Sequence, residues 1–277
     1  MFSDTHFHLL HLAERGIDLA PVFQELAERN TAFVLDIGTQ TDDLPHRIRL
    51  AGDAISRIND DTLRRGILQA LRFSAGIWPH PDAIRGRASL VPELMRHIQQ
   101  VPGVAAMGEC GLDHHWNTNG ADGRTPEDFT ADLLHGEAEM FEMLLEAARK
   151  LALPVIVHSR EAFDGTLSCI RNVGYDCGVI HCFSYGVEEA RSFLDRGWYI
   201  SFTGAITYTK KTQMDGMKHL LDFVPRDRIL LETDAPYLAP VPFRGTVNTP
   251  LLVEHVYRYA AGLMETTPDA LSALVDA

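Results

Sequence analysis

The stretch DTHFHLL, residues 4–10, sets two histidines one residue apart. In an extended strand the side chains at i and i+2 share a face, so His6 and His8 project together and can hold one metal ion between them. Alone, the pair leaves open a second reading, two surface histidines near a chain end. Four further residues of ligand type occur later, Glu109, His158, His181 and Asp234, each closing a short apolar run. Each taken singly is ordinary, because a histidine or an acid after a strand is commonly a loop residue or a helix cap. Taken together, four imidazoles and two carboxylates on one rim would be costly to bury without a cation. Such a set suits Zn, Mn or Mg, with a carboxylate able to bridge two ions. Two divalent ions about 3.5–4 Å apart activate water and stabilise an in-line displacement at phosphorus.

That convergence requires particular elements. Strand-like runs occur at FSDTH (2–6), AFVLDIG (32–38), LRFSAGI (71–77), VAAMGEC (104–110), LPVIVHS (153–159), CGVIHC (177–182), GWYISFT (197–203) and RILLETD (228–234). Several are apolar throughout, as strands buried on both faces are. Helical patterns lie between them, among them 21–30, 137–150 and 187–197, the last ending on Gly197. Alternating strands and helices predict parallel βαβ units. Eight of them in 277 residues predict an α/β fold, a single-domain (β/α)8 barrel spanning 1–277. An open doubly wound sheet would more often carry a glycine-rich phosphate loop after its first strand, and none is present. Barrel active sites gather at the C-terminal strand ends, where the six ligand-type residues fall.

Composition narrows the class. The net charge of −13 argues against a broad electrostatic footprint for nucleic acid, although an enzyme can meet phosphates through metal ions and a few local cations. Cys110, Cys169, Cys177 and Cys182 show no metal-finger or CxxC spacing and read as reduced thiols. No run reaches the roughly 18 apolar residues of a membrane span, nor does the start resemble a signal peptide. The expected location is the cytoplasm, and the expected partners include no membrane.

The motifs DTHFHL (4–9), GECGLD (108–113), VIVHSR (155–160), HCFS (181–184), SFTGAITY (201–208), LLETDAPYL (230–238) and NTP (248–250) run in order along nearly the whole chain. Together they resemble the TatD family of metal-dependent deoxyribonucleases, within the amidohydrolase-like barrels. HxH alone is weak; the ordered set is highly specific. The resemblance implies two divalent ions (Mg, Mn or Zn) and a metal-activated water. It implies 3'-5' exonuclease cleavage of phosphodiester bonds in DNA, and the acidic balance favours single-stranded or frayed ends. It assigns His6, His8, Glu109, His158, His181 and Asp234 as ligands, the set that the strand ends give independently. Three features depart from the family pattern. Trp78 replaces the first histidine of GxHPH, Tyr185 follows HCFS in place of glycine, and the loop 114–128 is long and polar.

The expected roles follow. Glu109 bridges; His6, His8 and Asp234 complete one ion; His158 and His181 complete the other. Asp234 also serves as general base. Arg160 is the first candidate to grip phosphate, ahead of Lys210, Lys211 and Arg244, and Trp78 offers a surface for a base. Asp113 is expected to orient a ligand or a loop. His80, His114 and His115 lie in rim loops within reach of substrate, whereas His11, His46, His97, His135, His219 and His255 read as packing residues. Cys110 and Cys182 adjoin ligands but alternate to the other strand face, towards the core. Two rivals remain. One is an amidohydrolase-type enzyme cleaving C–N or lactone bonds, many of which bridge with lysine where Glu109 stands. The other is a non-catalytic barrel stabilised by metal.

Overall fold

The computed structural model describes residues 2–116 and 124–277. Its strands are β1 (Asp4–Phe7), β2 (Val34–Asp36), β3 (Leu71–Ala75), β4 (Ala106–Asp113), β5 (Val155–Arg160), β6 (Gly178–Ile180), β7 (Tyr199–Phe202) and β8 (Ile229–Leu231). They lie in sequence order, each parallel to the next. Parallel neighbours need long crossovers, and helices supply them. The ring closes where Phe7 bridges Ala235, just past β8. There Asp234 N donates to His6 O at 2.8 Å and His8 N donates to Ala235 O at 2.7 Å. The observed fold is the (β/α)8 barrel expected from the strand–helix alternation.

The helices read at 21–30, 137–150 and 187–197 are Leu19–Glu28, Ala131–Leu151 and Val187–Leu194. Ala131–Leu151 starts under the Thr130 cap and buries Met140, Phe141, Leu144, Leu145 and Ala148, the three- and four-residue spacing of one helix face. Val187–Leu194 ends before Gly197, which takes φ +88° and donates its N–H to Leu194 O at 2.8 Å. Of the expected loop 114–128, residues 117–123 lie outside the described residues, and Pro126–Phe129 forms a short 3-10 turn. Among the described residues no helix is long and apolar enough to cross a membrane.

Alternation within the strands separates two apolar layers. Val155 and Val157 join the large cluster against the helices, whereas Ile156 joins a small cluster with Leu35, Ile37 and Ala106. His158 shares a face with Ile156 by the period of two. β4 departs from this rule. It runs on to Asp113 rather than stopping at 110, so Glu109 sits within the strand and not at its end. Its register on β5 shifts between Met107 and Cys110, both of which point into the large cluster. The extra residue of such a bulge re-aims a side chain, and here it turns Glu109 inward. Glycine is required beside it, because a Cβ on Gly111 would meet His158 O at 1.9 Å.

A fully buried guanidinium fixes the turn after His8. Asp36, at the end of β2, accepts the Leu9 N–H at 2.8 Å and pairs with Arg47 Nη1 at 2.5 Å. Arg47 also reaches Asp43 at 3.0 Å and Ser74 O at 2.6 Å. Removing one partner of a buried pair strands the other charge, so Arg47→Ala is expected to cost about 3–5 kcal/mol in chemical denaturation. Arg57→Ala, at the exposed pair with Asp18, is expected to cost under about 1 kcal/mol.

Candidate metal centre

β1 and β8 are locked at the point where the first ligands emerge. Buried Asp4 accepts the Thr233 N–H at 2.9 Å and the Thr233 hydroxyl at 2.6 Å. Asn248, from the NTP motif, donates to Thr233 O at 2.9 Å and to Tyr237 O at 2.6 Å, which holds the Asp234 loop. Asp234 itself adopts φ +56°.

Four ligand atoms meet on this side. His6 Nε2 and His8 Nε2 are 3.2 Å apart. Glu109 Oε2 lies 3.5 Å from His6 Nε2 and 3.6 Å from His8 Nε2. Asp234 Oδ1 lies 3.7 Å from His6 Nε2 and 3.3 Å from His8 Nε2. Ligands held tetrahedrally at about 2.0–2.1 Å from an ion stand about 3.4 Å from one another, so this set fits a divalent metal. The buried Nδ1 atoms of His6 and His8 find no hydrogen-bond partner among the described residues, so the protein satisfies neither ring through its outer nitrogen.

The other oxygen of Glu109 serves a second group. Glu109 Oε1 lies 2.7 Å from His158 Nδ1 and 2.9 Å from His181 Nε2, and those nitrogens are 3.2 Å apart. Each of these imidazoles has a carboxylate behind it. Asp113 Oδ2 is 3.1 Å from His158 Nε2, and Glu232 Oε1 is 3.3 Å from His181 Nδ1. Such partners fix the tautomer and orientation of ligating histidines. Asp113 is positioned in turn by Arg124 at 2.9 Å, while Glu137 accepts its N–H at 2.9 Å.

The structure thus brings together all six residues expected as ligands. Glu232 escaped the sequence reading although it stands two residues before Asp234 in the same motif. Its oxygens already accept from Cys182 N at 2.8 Å and Ser201 Oγ at 2.5 Å, which suits orientation of His181 better than direct ligation. His11, expected to pack, is partly buried with its ring stacked on His8 at 4.9 Å, because the helix Leu9–Glu14 begins directly after His8. Trp78 stands edge-on to His158 at 5.9 Å, with Arg124 over its ring at 5.3 Å. His80 is exposed and caps the helix Pro81–Gln100 through Asp82 N. Arg160 is also exposed, with no ion pair among the described residues. His114 pairs with Glu137 at 3.2 Å and His115 with Glu161 at 2.6 Å. Cys110 lies in the core, but Cys182 is only half-buried, at φ +46°, beside Thr203. The strand alternation invoked for Cys182 fails because β6 ends at Ile180. Tyr185 is structural, its hydroxyl meeting Ser159 at 2.9 Å and Ala162 N at 3.1 Å.

A profile of the TatD-related DNase family matches residues 3–277. The chain belongs to the TatD-related DNase family. It is 33% identical over 273 residues to the uncharacterized metal-dependent hydrolase YcfH of Escherichia coli, covering 97% of this chain and 90% of the relative. It is 33% identical over 210 residues to the 3'-5' ssDNA/RNA exonuclease TatD of Erwinia billingiae, covering 74% of each. The crystal structure of YJJV, a TatD homolog from Escherichia coli k12, superposes with a TM-score of 0.74 at 23% identity, over 99% of this chain and 94% of that one. The chain is a TatD-family metal-dependent hydrolase, and the His/Glu groups just described could bind its metal.

In this TatD-family site the ionised groups balance one another. Burial pushes the Glu109 carboxyl up, but the charge of His181 and hydrogen bonds from His158, His181 and His6 hold it well below the usual range. Burial pulls His158 down, yet Asp113 and Glu109 lift it to about 8. His181 is raised well above its ordinary value by Glu109 and Glu232, against the same burial. A metal ligand must be deprotonated, so an ion that took His158 as a ligand would displace its proton at any pH below about 8. Apparent affinity is therefore expected to rise between about pH 6 and pH 8, with proton release visible by calorimetry in buffers of different ionisation enthalpy. Asp113→Asn should weaken uptake by about 10–100-fold. Affinity independent of pH over that span would contradict the assignment.

Proposed function

We propose that this TatD-family enzyme hydrolyses phosphodiester bonds of DNA, removing nucleotides 3'-5' from single-stranded or frayed ends. One observation carries the reading: the two oxygens of Glu109 face two different groups of imidazoles. That arrangement suits a pair of divalent ions (Mg, Mn or Zn), with His6, His8 and Asp234 on one side and His158 and His181 on the other. When bound, such ions supply Lewis-acid activation of water and of the phosphoryl group. The name of the Erwinia billingiae relative supports nucleic acid as substrate.

The chain's own residues supply the rest. Asp234 and His158 expose 15% of their side chains, the most open of the six, so reactant enters past them. Asp234 accepts the proton of the attacking water, since burial favours its neutral form but His8, His6 and His181 keep it ionised. Glu109 holds the two groups in register. Trp78, edge-on to His158, offers its exposed surface to a base. Asp113 acts from behind His158. Arg160 and His80, both exposed, meet the strand beyond the reacting phosphate.

A single-stranded oligonucleotide labelled at its 5' end, incubated with Mg or Mn, should shorten from its 3' end, and EDTA should abolish the reaction. Asp234→Asn should lower kcat by about 10²–10⁴-fold with the circular dichroism spectrum retained. Activity confined to amides or lactones, or cleavage unaffected by chelation, would overturn the reading.

A further inference from the structure

A phosphodiester approaching this cluster meets the partly open Asp234 with Glu109 behind it, on a chain of net charge −13. It needs cations that carboxylates have not already neutralised. Arg47 is taken up by Asp36 and Asp43, and Arg124 pairs with Asp113. Arg15 differs from both. It directly follows the helix Leu9–Glu14, and its guanidinium carbon lies 4.8 Å from the centroid of the Tyr237 ring. No carboxylate pairs with it among the described residues.

Tyr237, which lies beneath that guanidinium, has its backbone held on both sides. Its N–H donates to Asp234 O at 2.9 Å and its carbonyl accepts from Asn248 at 2.6 Å. Its ring centroid stands 6.1 Å from that of His8, and its hydroxyl lies 3.3 Å from His11 Nδ1. Arg15 is therefore steered to the His8–Asp234 side of the cluster by an aromatic face, with its hydrogen-bond donors unclaimed by any acid.

We infer that Arg15, supported on Tyr237, anchors a backbone phosphate of the substrate strand on the His8–Asp234 side of the site. The inference rests on the phosphodiesterase reading. A guanidinium can hold phosphate through two parallel hydrogen bonds, which a lysine does not reproduce. Arg15 is a binding residue here: it sets affinity and where the strand lies, and the chemical step does not depend on it.

The test is steady-state kinetics on a single-stranded oligonucleotide over a range of salt concentrations, with Arg57→Ala as the control for loss of a surface guanidinium. Arg15→Ala should raise KM about tenfold with kcat within about twofold, as expected for a lost hydrogen bond to a charged group. The slope of log affinity against log salt should fall by about 0.7, the value of one single-strand phosphate contact. Arg15→Lys should restore the salt slope but only part of the KM. If the wild type cleaves and Arg15→Ala leaves KM and slope unchanged, the inference is wrong and the nuclease reading stands. A raised KM with an unchanged slope also overturns it, because Arg15 would then act by shaping Tyr237 and not by charge. If the wild type cleaves neither DNA nor RNA, the nuclease reading itself has failed.

Discussion

An ionised carboxylate cannot sit in a protein interior without compensation, and Glu109 is such a group, 4% exposed with imidazoles on both sides. The rest of the site is arranged around that constraint. One oxygen is matched by His6 and His8, the other by His158 and His181. Without an ion, protons on the imidazoles balance the charge, which is why His158 and His181 hold theirs so firmly. A divalent cation held there would do the same work with greater charge and would release those protons.

Holding six side chains from distant parts of the chain at these separations requires rigid support. The bulge in β4 turns Glu109 inward, and Gly111 lets β5 approach. Asp4 and Thr233 tie β1 to the end of β8, so that His6 and Asp234 keep their spacing across the closing seam. The buried Arg47 network fixes the turn that carries His8 away from β1. Asp113 and Glu232 set the rings of His158 and His181 from behind. None of these supports needs to touch a substrate, yet the ligand geometry follows from them.

Much of this was legible in the sequence, for definite reasons. Apolar runs alternating with helical stretches have few folded solutions, and the barrel follows from their number and order. The six clustered residues could be singled out because imidazole and carboxylate groups recur at the ends of those runs. Glu232 was obscured because an acid one position away from Thr233 and two from Asp234 looks like part of one loop, and only the fold shows it aimed at His181. The extension of β4 to Asp113 was hidden by its two glycines, which read as a break when they in fact permit a bulge. His11 lies in a helical stretch whose periodicity speaks of packing; its stacking on His8 depends on where the helix starts, a distance of one residue. Arg15 and Tyr237 are 222 residues apart, and no local pattern relates them.

The proposed pair of ion sites depends on Glu109 joining them. Crystals grown with Mn and measured at its absorption edge would test this most directly. Two anomalous peaks are expected, one among His6, His8, Glu109 and Asp234 and the other among Glu109, His158 and His181. Peaks elsewhere on the molecule, or a single ion that leaves one Glu109 oxygen without a metal, would contradict that arrangement.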